Sequence, residues 1–511
     1  MPRFNLTFGF TLFILTLHIM EIYLAGFNVD REVLEELKKS SPSRDDVTPE
    51  TLSASYARIS RDPRPVNELR SIARAEVEKA RRSNRNIIFK MGHHSVAEHA
   101  VFNFDILGVS RLAIEEIEKF RLCSYTEKSQ RYISLENDFI VPTEIKKSGK
   151  QNIFEDTIRE QNSLYHKLYQ KLKPYFFEKY KDLAKNPKKH SLLEGWAKED
   201  ARYVVSLATT GQLGMTLNAR NLEFMIRRLA SKKLAELKQF NRKIYDLAKK
   251  TAPSIILFTK AHDFDSRTYS ELKKAAQTFG KSSPRKEKKL VHLLHFTPNA
   301  DEKLIASLLH STSPLSYKEC LRKSKKISSK DKKEFVKKAF QYMEFYDAAL
   351  REFEYIDLHF ELTVSASCFA QLKRHRLSTL TVQNYNPTLG VTMPPSIKEI
   401  NAQQEFMEIM DKTNDVYSLL KDRTEKGAEY ILTNAHRRRV LFKVNARELY
   451  HISRLREDSS AQWDIRNVAG EMVRLAKEVM PLTCLLIGGK DSYPQIYKQV
   501  FGKIPGMKPP T

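Results

Sequence analysis

Three clusters of polar side chains have the types and spacing to do chemistry. The first is Gly92-His93-His94-Ser95-Val96-Ala97-Glu98-His99. On a helix, His94 and Glu98 share one face and could ligate a metal. The HExxH spacing of zinc hydrolases is absent, however. Ser95 and Glu98 could equally cap a helix start, or touch a ligand. The second cluster is Arg121-Leu122-Cys123-Ser124-Tyr125-Thr126-Glu127-Lys128-Ser129-Gln130-Arg131-Tyr132. Arginine forms bidentate, charge-assisted bonds to phosphate, and a carboxylate can accept from a ribose hydroxyl or a ring N–H. The third, Gln371-Leu372-Lys373-Arg374-His375-Arg376, gathers cations suited to phosphate or an electron-rich ring system. Taken singly, the second and third clusters are as compatible with surface ion pairs as with a ligand. There is no Gly-x-Ser-x-Gly elbow, GxGxxG or GxxxxGK[ST], and no cysteine stands near a predicted general base. No metal site is expected.

The elements that must carry these clusters are mixed. Phe102-Asn103-Phe104-Asp105-Ile106 alternates like a half-buried strand. Ser110 then caps a helix with apolar residues at Leu112, Ile114, Ile117 and Phe120. Leu358-His359-Phe360-Glu361-Leu362 is a second strand, and Ser365 caps a helix running to His375. The arginine clusters thereby fall at helix C-termini, beside the following loop.

This order is repeated. Val109-Ser110 lies eleven residues before Arg121, and Val364-Ser365 eleven before Arg376, an offset of 255. Leu217-Asn218-Ala219-Arg220-Asn221-Leu222 matches Val444-Asn445-Ala446-Arg447-Glu448-Leu449 at an offset of 227. Each opens a long amphipathic helical stretch ending near Pro253 or Pro481. A tandem duplication follows. Residues 20–261 form the first domain, 262–289 a charged linker around Lys281-Ser282-Ser283-Pro284, 290–490 the second domain, and 491–511 a tail. Leu290-Val291-His292-Leu293-Leu294 resumes strand character. The basic stretch from Arg322 to Lys338 reads as a solvated helix face or loop.

At roughly 150 residues per domain, 511 residues allow about three domains or two large ones. Hydrophobic residues make up 41%, which excludes wholesale disorder. Cys123, Cys320, Cys368 and Cys484 are scattered with no CxxC, which excludes a disulfide scaffold and a cysteine-rich zinc module. The formal charge of +25 favours anionic partners without choosing among nucleotides, folates, nucleic acid and acidic lipid. Residues 4–19 form an apolar run too short to span a bilayer comfortably. From Glu21 to Phe27 the chain alternates like an edge strand. Met20 is therefore expected to be the true start and residues 1–19 a misassigned extension.

Together these motifs resemble the flavin-dependent thymidylate synthases, whose signature is RHRxxSxNExSxR with GHxSxxEH upstream and NAR, then an arginine, downstream. The resemblance covers roughly residues 20–260 and 290–490. It implies an α/β (α+β) fold with two tandem domains, each a sheet packed with long helices. It also implies bound FAD and reductive methylation of dUMP to dTMP, with methylenetetrahydrofolate giving the carbon and NADPH the electrons. The family uses no cysteine nucleophile.

The two halves match in complementary parts. In the first, Gly92, His93, Ser95, Glu98 and His99 match the upstream segment, and Ser124, Glu127, Ser129 and Arg131 the later signature, with Thr126 replacing Asn. Lys119-Phe120-Arg121 replaces RHR. Arg202 fits a substrate-phosphate arginine, Asn218 and Arg220 the flavin-contacting NAR, and Leu229 stands where the last arginine belongs. In the second half, Gln371, Arg374, His375 and Arg376 match QxxRHR, while Val382, Asn384, Asn386 and Glu429 replace the groups kept in the first. Asp347-Ala348-Ala349-Leu350 and Phe353-Glu354 stand in place of GHxSxxEH. Asn445, Arg447, His451, Arg456 and Ala461-Gln462-Trp463-Asp464-Ile465-Arg466 are present.

The resemblance implies a composite site. Gln371, Arg374, Glu127, Ser129, Arg131, Arg202 and Arg456 would bind dUMP. Arg456 would stabilise a deprotonated uracil ring, and Ser129 would position or polarise the nucleotide. FAD would meet His93, Ser95, Glu98, Arg374, His375, Arg376, Asn218, Arg220, Asn445, Arg447 and His451. A homodimer acting as a pseudo-tetramer, a cytoplasmic location and no nucleic-acid or membrane partner are expected. The competing readings are a nucleotide- or flavin-binding regulator without turnover and a basic nucleic-acid-binding protein, although no RNP, KH or zinc module is recognisable.

Overall fold

In the computed structural model, residues 20–39, 47–59, 62–131, 135, 138–280, 289–424 and 427–505 are described. The expected extension at 1–19 and the Lys281-Ser282-Ser283-Pro284 stretch lie outside them. Among the described residues, no helix is long and apolar enough to cross a membrane.

Alternating apolar residues build two antiparallel four-stranded sheets. The first comprises β1 (Glu21–Phe27), β2 (Val101–Ser110), β3 (Ser124–Glu127) and β4 (Thr210–Asn218), in the order β1-β2-β4-β3. The second comprises β5 (Val291–Phe296), β6 (Asp357–Ser365), β7 (Thr379–Val382) and β8 (Arg437–Asn445), in the order β5-β6-β8-β7. The topology is the same, so the duplication and the α+β class hold. The sheets differ at one point. Gly108, at φ 67°, lies where the β2–β4 register shifts between Leu107 and Val109, whereas β6 pairs with β8 without a break.

Each central strand runs into a capped helix. The Ser110 hydroxyl accepts from Ala113 N at the head of the helix Arg111–Ile117, and Ser365 does the same for Cys368 N and Ala366–Leu372. Both helices stop short of the expected Phe120 and His375. The Asn218 and Asn445 side chains cap the helices Ala219–Ala230 and Ala446–Arg456. Their long stretches break into second helices, Ala235–Thr251 and Trp463–Val479.

Each sheet has its own apolar core, and a third cluster joins the halves. There Tyr165, Leu168 and Leu172 of the helix Gln151–Lys179 pack with Phe406, Ile409 and Met410 of Gln403–Lys421. Burial of such side chains stabilises by about 1.5–3 kcal/mol each. The halves also exchange tyrosines. Tyr203 and Ser365 donate to Asp464 Oδ2 at 3.0 and 2.5 Å. At the mirrored position Tyr430 and Ser110 donate to Glu236 Oε2 at 2.8 and 2.7 Å. One body with a pseudo-two-fold axis results.

Three of the expected segments take definite form. The 262–289 segment is helical over Asp263–Ser266 and Thr268–Ala276, started by a His262/Asp265 capping box. The Arg322 to Lys338 stretch lies on the helices Tyr317–Lys326 and Ser329–Phe340. In place of a tail after residue 490, the helix Tyr493–Phe501 buries Tyr493 and Tyr497 in the second core.

Candidate active site

The interface brings the complementary residues of the two halves together within one chain. Glu127 ends β3 of the first sheet; Arg374 occupies the turn after the Ser365 helix. Arg374 Nη2 lies 3.4 Å from Glu127 Oε2. Arg376 donates to the Cys123 carbonyl, Arg121 Nη1 to the Ser378 carbonyl at 2.8 Å, and Lys373 pairs with Glu118 at 2.7 Å. The turns after the two equivalent helices therefore interlock.

Arg131 follows in the loop after β3. Its backbone N–H donates to Ser129 Oγ at 3.2 Å, its Nε pairs with Glu199, and its Nη2 donates to the Ser460 carbonyl at 3.1 Å. Arg202 is buried, and its Nη2 donates to Ser367 Oγ at 2.9 Å. Burial raises the Glu199 carboxyl, against Arg131 and Arg202. The same desolvation lowers Arg202.

Arg456, at the end of the Asn445 helix, donates from Nε to His375 Nε2 at 3.0 Å and from Nη2 to the Gln371 carbonyl at 3.4 Å. Burial, and next the Arg374 charge, push Arg456 down to about 10, with Arg131 acting in the same sense. It stays charged at neutral pH. Arg131, Arg374 and Arg456 thus converge as an anion-attracting group, with Glu199 paired to Arg131 and Glu127 facing Arg374. Burial raises the Glu127 carboxyl, but Arg111, Lys373 and Arg374 outweigh it and hold it below the usual range.

Two residues expected at the ligands also have partners within the protein. His375 is buried, with Nδ1 at 3.3 Å from Glu448. Burial lowers its pKa against the pull of Glu448, so the neutral ring accepts from Arg456 and orients it. Gln371 is also buried, and its amide donates to Gln462 Oε1 at 2.6 Å. Gln462 in turn reaches Tyr203 and Ser367.

Beside this group opens a cavity of about 940 Å³, lined among others by Arg374, His375, Arg376, Asn445, Arg447 and His451. Six residues expected at the flavin therefore line one cavity. The replacement segment also lines it through Asp347, Ala348, Ala349 and Glu354, with Glu354 paired to Arg447 at 2.9 Å. The other expected flavin residues do not line this cavity. Glu98 pairs with Arg220 on the first domain, near His93, Ser95 and Asn218, at the pseudo-symmetric position. Ser95 makes no helix cap, because His94–His99 is a 3-10 turn without a side-chain cap bond. Among the described residues no group of three or more side chains is placed to hold a metal.

The mirrored composite position is filled. Gly211 pairs with Val109, and at the same register position Arg438 pairs with Val364. Arg438 stacks 4.2 Å from the Tyr385 ring and pairs with Glu115 at 2.9 Å. Tyr385 donates to Glu115 Oε1 at 2.8 Å. Sequence reasoning missed Arg111, Glu199, Arg438 and Tyr385, because their meaning depends on what lies across the interface.

Comparison with known proteins agrees with the duplication. The model of the thymidylate synthase complementing protein family matches twice, over residues 45–254 and 292–482. UPF0159 proteins of Chlamydia muridarum and Thermoplasma acidophilum are each 24% identical, over 79% and 84% of this chain and 79% and 92% of their own. A flavin-dependent thymidylate synthase of Clostridium tetani is 29% identical over 41% of this chain and 82% of its own length. A single-domain relative thus corresponds to about half of the chain, and the full-length relatives carry both halves. With two matches laid over two sheets of one topology, the chain belongs to the thymidylate synthase complementing protein family.

Proposed function

We propose that this protein is a flavin-dependent thymidylate synthase whose chain builds one composite active site from its two unlike halves. The observation that carries the reading is the meeting of Glu127 and Arg131 with Arg374 and Arg456 in one place. Arg131 and Arg202 would take the phosphate of dUMP, Glu127 a ribose hydroxyl or ring N–H, and Ser129 would position the nucleotide. Arg456 would stabilise negative charge developing on the uracil ring, aimed by His375. Gln371 would act by holding this frame through Gln462.

The cavity fits a dinucleotide in volume and in its cationic lining of Arg374, Arg376 and Arg447. These residues, with Asn445 and His451, would hold FAD, which supplies the redox chemistry when bound. The methylene carbon of methylenetetrahydrofolate is joined to C5 of uracil. A hydride equivalent from NADPH and a solvent proton complete the balance, giving dTMP, tetrahydrofolate and NADP⁺. His93, Ser95, Glu98, Asn218 and Arg220 would serve a flavin only across a contact with a second chain. The expected homodimer would supply that contact and repeat the site.

The test is a flavin spectrum of the purified full chain and an NADPH-dependent assay of dUMP conversion with methylenetetrahydrofolate. Turnover lost in Arg131→Ala and Arg374→Ala is expected. Flavin binding without dTMP formation would favour the regulator, and a colourless, inactive protein would sink both.

A further inference from the structure

We infer that Arg111 is a positioning residue of the nucleotide site, clamping one oxygen of Glu127 so that the other faces Arg374 and the ligand. The inference rests on the thymidylate synthase reading. Arg111 opens the helix after β2, and its backbone N–H donates to the Thr209 carbonyl at 2.9 Å. Its guanidinium reaches Glu127 Oε1 at 2.9 Å and the Ala366 carbonyl of the other half at 3.3 Å. Both partners of the ion pair keep only 6% of their side-chain surface exposed. Glu127 Oε2 is left toward Arg374 at 3.4 Å.

A buried ion pair is by itself weak evidence of stabilisation, because desolvation offsets much of the attraction. The duplication supplies the control. The residue 255 positions after Arg111 is Ala366, and the one 255 after Glu127 is Val382. Both members are absent from the second half, yet it builds the same strand, serine cap and helix. The fold therefore does not need the pair. It stands in the half that contributes the carboxylate to the composite site.

The charged groups around Glu127 are Arg111 on its own domain and Lys373 and Arg374 from the turn opposite, while Glu115 lies 3.9 Å from Arg111. Without Arg111, burial would favour the protonated acid and the side chain would lose its fixed orientation.

The experiment uses the full chain as wild type, Arg111→Met, Arg111→Lys, Glu127→Gln and the Arg111→Met/Glu127→Gln double variant. It measures dUMP affinity by calorimetry, thermal midpoints, and the pH titration of the Glu127 carboxyl by infrared difference against Glu127→Gln. Arg111→Met should weaken dUMP binding about tenfold or more, with no further loss in the Glu127→Gln background. Its Glu127 carboxyl should titrate at higher pH, and Arg111→Lys should restore the low titration with part of the affinity. Should Arg111→Met fail to fold, Arg111→Lys carries the test, since loosened dUMP binding at an unchanged thermal midpoint is expected of it. Wild-type affinity and an unmoved titration, or losses that multiply in the double variant, would overturn the inference. If wild type binds no dUMP, the synthase reading fails, and the infrared titration still decides whether Arg111 governs Glu127.

Discussion

Three guanidiniums meet at the composite site, two of them against glutamates and one against a histidine. Arg131 is held by Glu199 and a carbonyl, Arg374 faces Glu127, and Arg456 leans on a neutral histidine. Charge-assisted bonds to a phosphate are worth about 1.5–3 kcal/mol. Arg131→Ala and Arg202→Ala should each weaken dUMP binding by about 10- to 100-fold in calorimetry, with thymidine affinity, where measurable, changed far less. Behind these arginines lies Asp200, buried and pushed up to about 7, accepting from Ser396 at 2.5 Å and Trp463 at 2.8 Å. An acid whose folded pKa lies above its unfolded value costs stability as pH rises through that window, here from about 4 to 7. Asp200→Asn should therefore raise the thermal midpoint at pH 8, with the gain shrinking toward pH 4. An equal gain at both would refute the assignment. Arginines and carboxylates were legible as types in the sequence; Asp200 was not, since only its burial between the halves makes it unusual.

The two NAR segments do the same structural work with unequal chemistry. Each asparagine caps a helix by accepting from the N–H three residues on, at 3.0 Å for Asn218 and 2.8 Å for Asn445. Losing such a cap costs about 1 kcal/mol. Asn218→Ala and Asn445→Ala should lower the denaturant midpoint similarly. Asn445→Ala should weaken flavin binding to the purified chain more than Asn218→Ala, because only Asn445 lines the cavity within one chain. Equal flavin loss in both would mean that the first-domain cluster holds flavin as well. Strands, serine caps and asparagine caps were all readable from alternation and residue type. The helix ends were not: Lys119-Phe120 and Arg374-His375 leave the helical path to interlock across the interface, a tertiary demand that propensity does not carry.

Across the whole molecule, one composite position is assembled and its mirror is closed. Arg438, Tyr385 and Glu115 fill the closed side with a buried, mutually satisfied group. One dUMP per chain is expected by calorimetry; two equivalent sites would contradict the closed mirror. Because Glu127 and Arg131 reach Arg374 and Arg456 within a single chain, mixing inactive Arg131→Ala with inactive Arg374→Ala should restore no activity. Recovery of activity would show that sites form between chains instead.

The sequence alone determined the duplication, the strand–helix order of each half, the family resemblance and the reciprocal loss of motifs. Those properties reside in residue type and spacing, which survive without coordinates. Only the tertiary structure decided that the reciprocal sets meet in one chain, that Gln371 and His375 bond to Gln462 and Arg456, and that expected flavin residues divide between two places. Each of these is a statement about residues hundreds of positions apart. Packing of the two halves about their pseudo-axis sets such distances, and no local pattern encodes them.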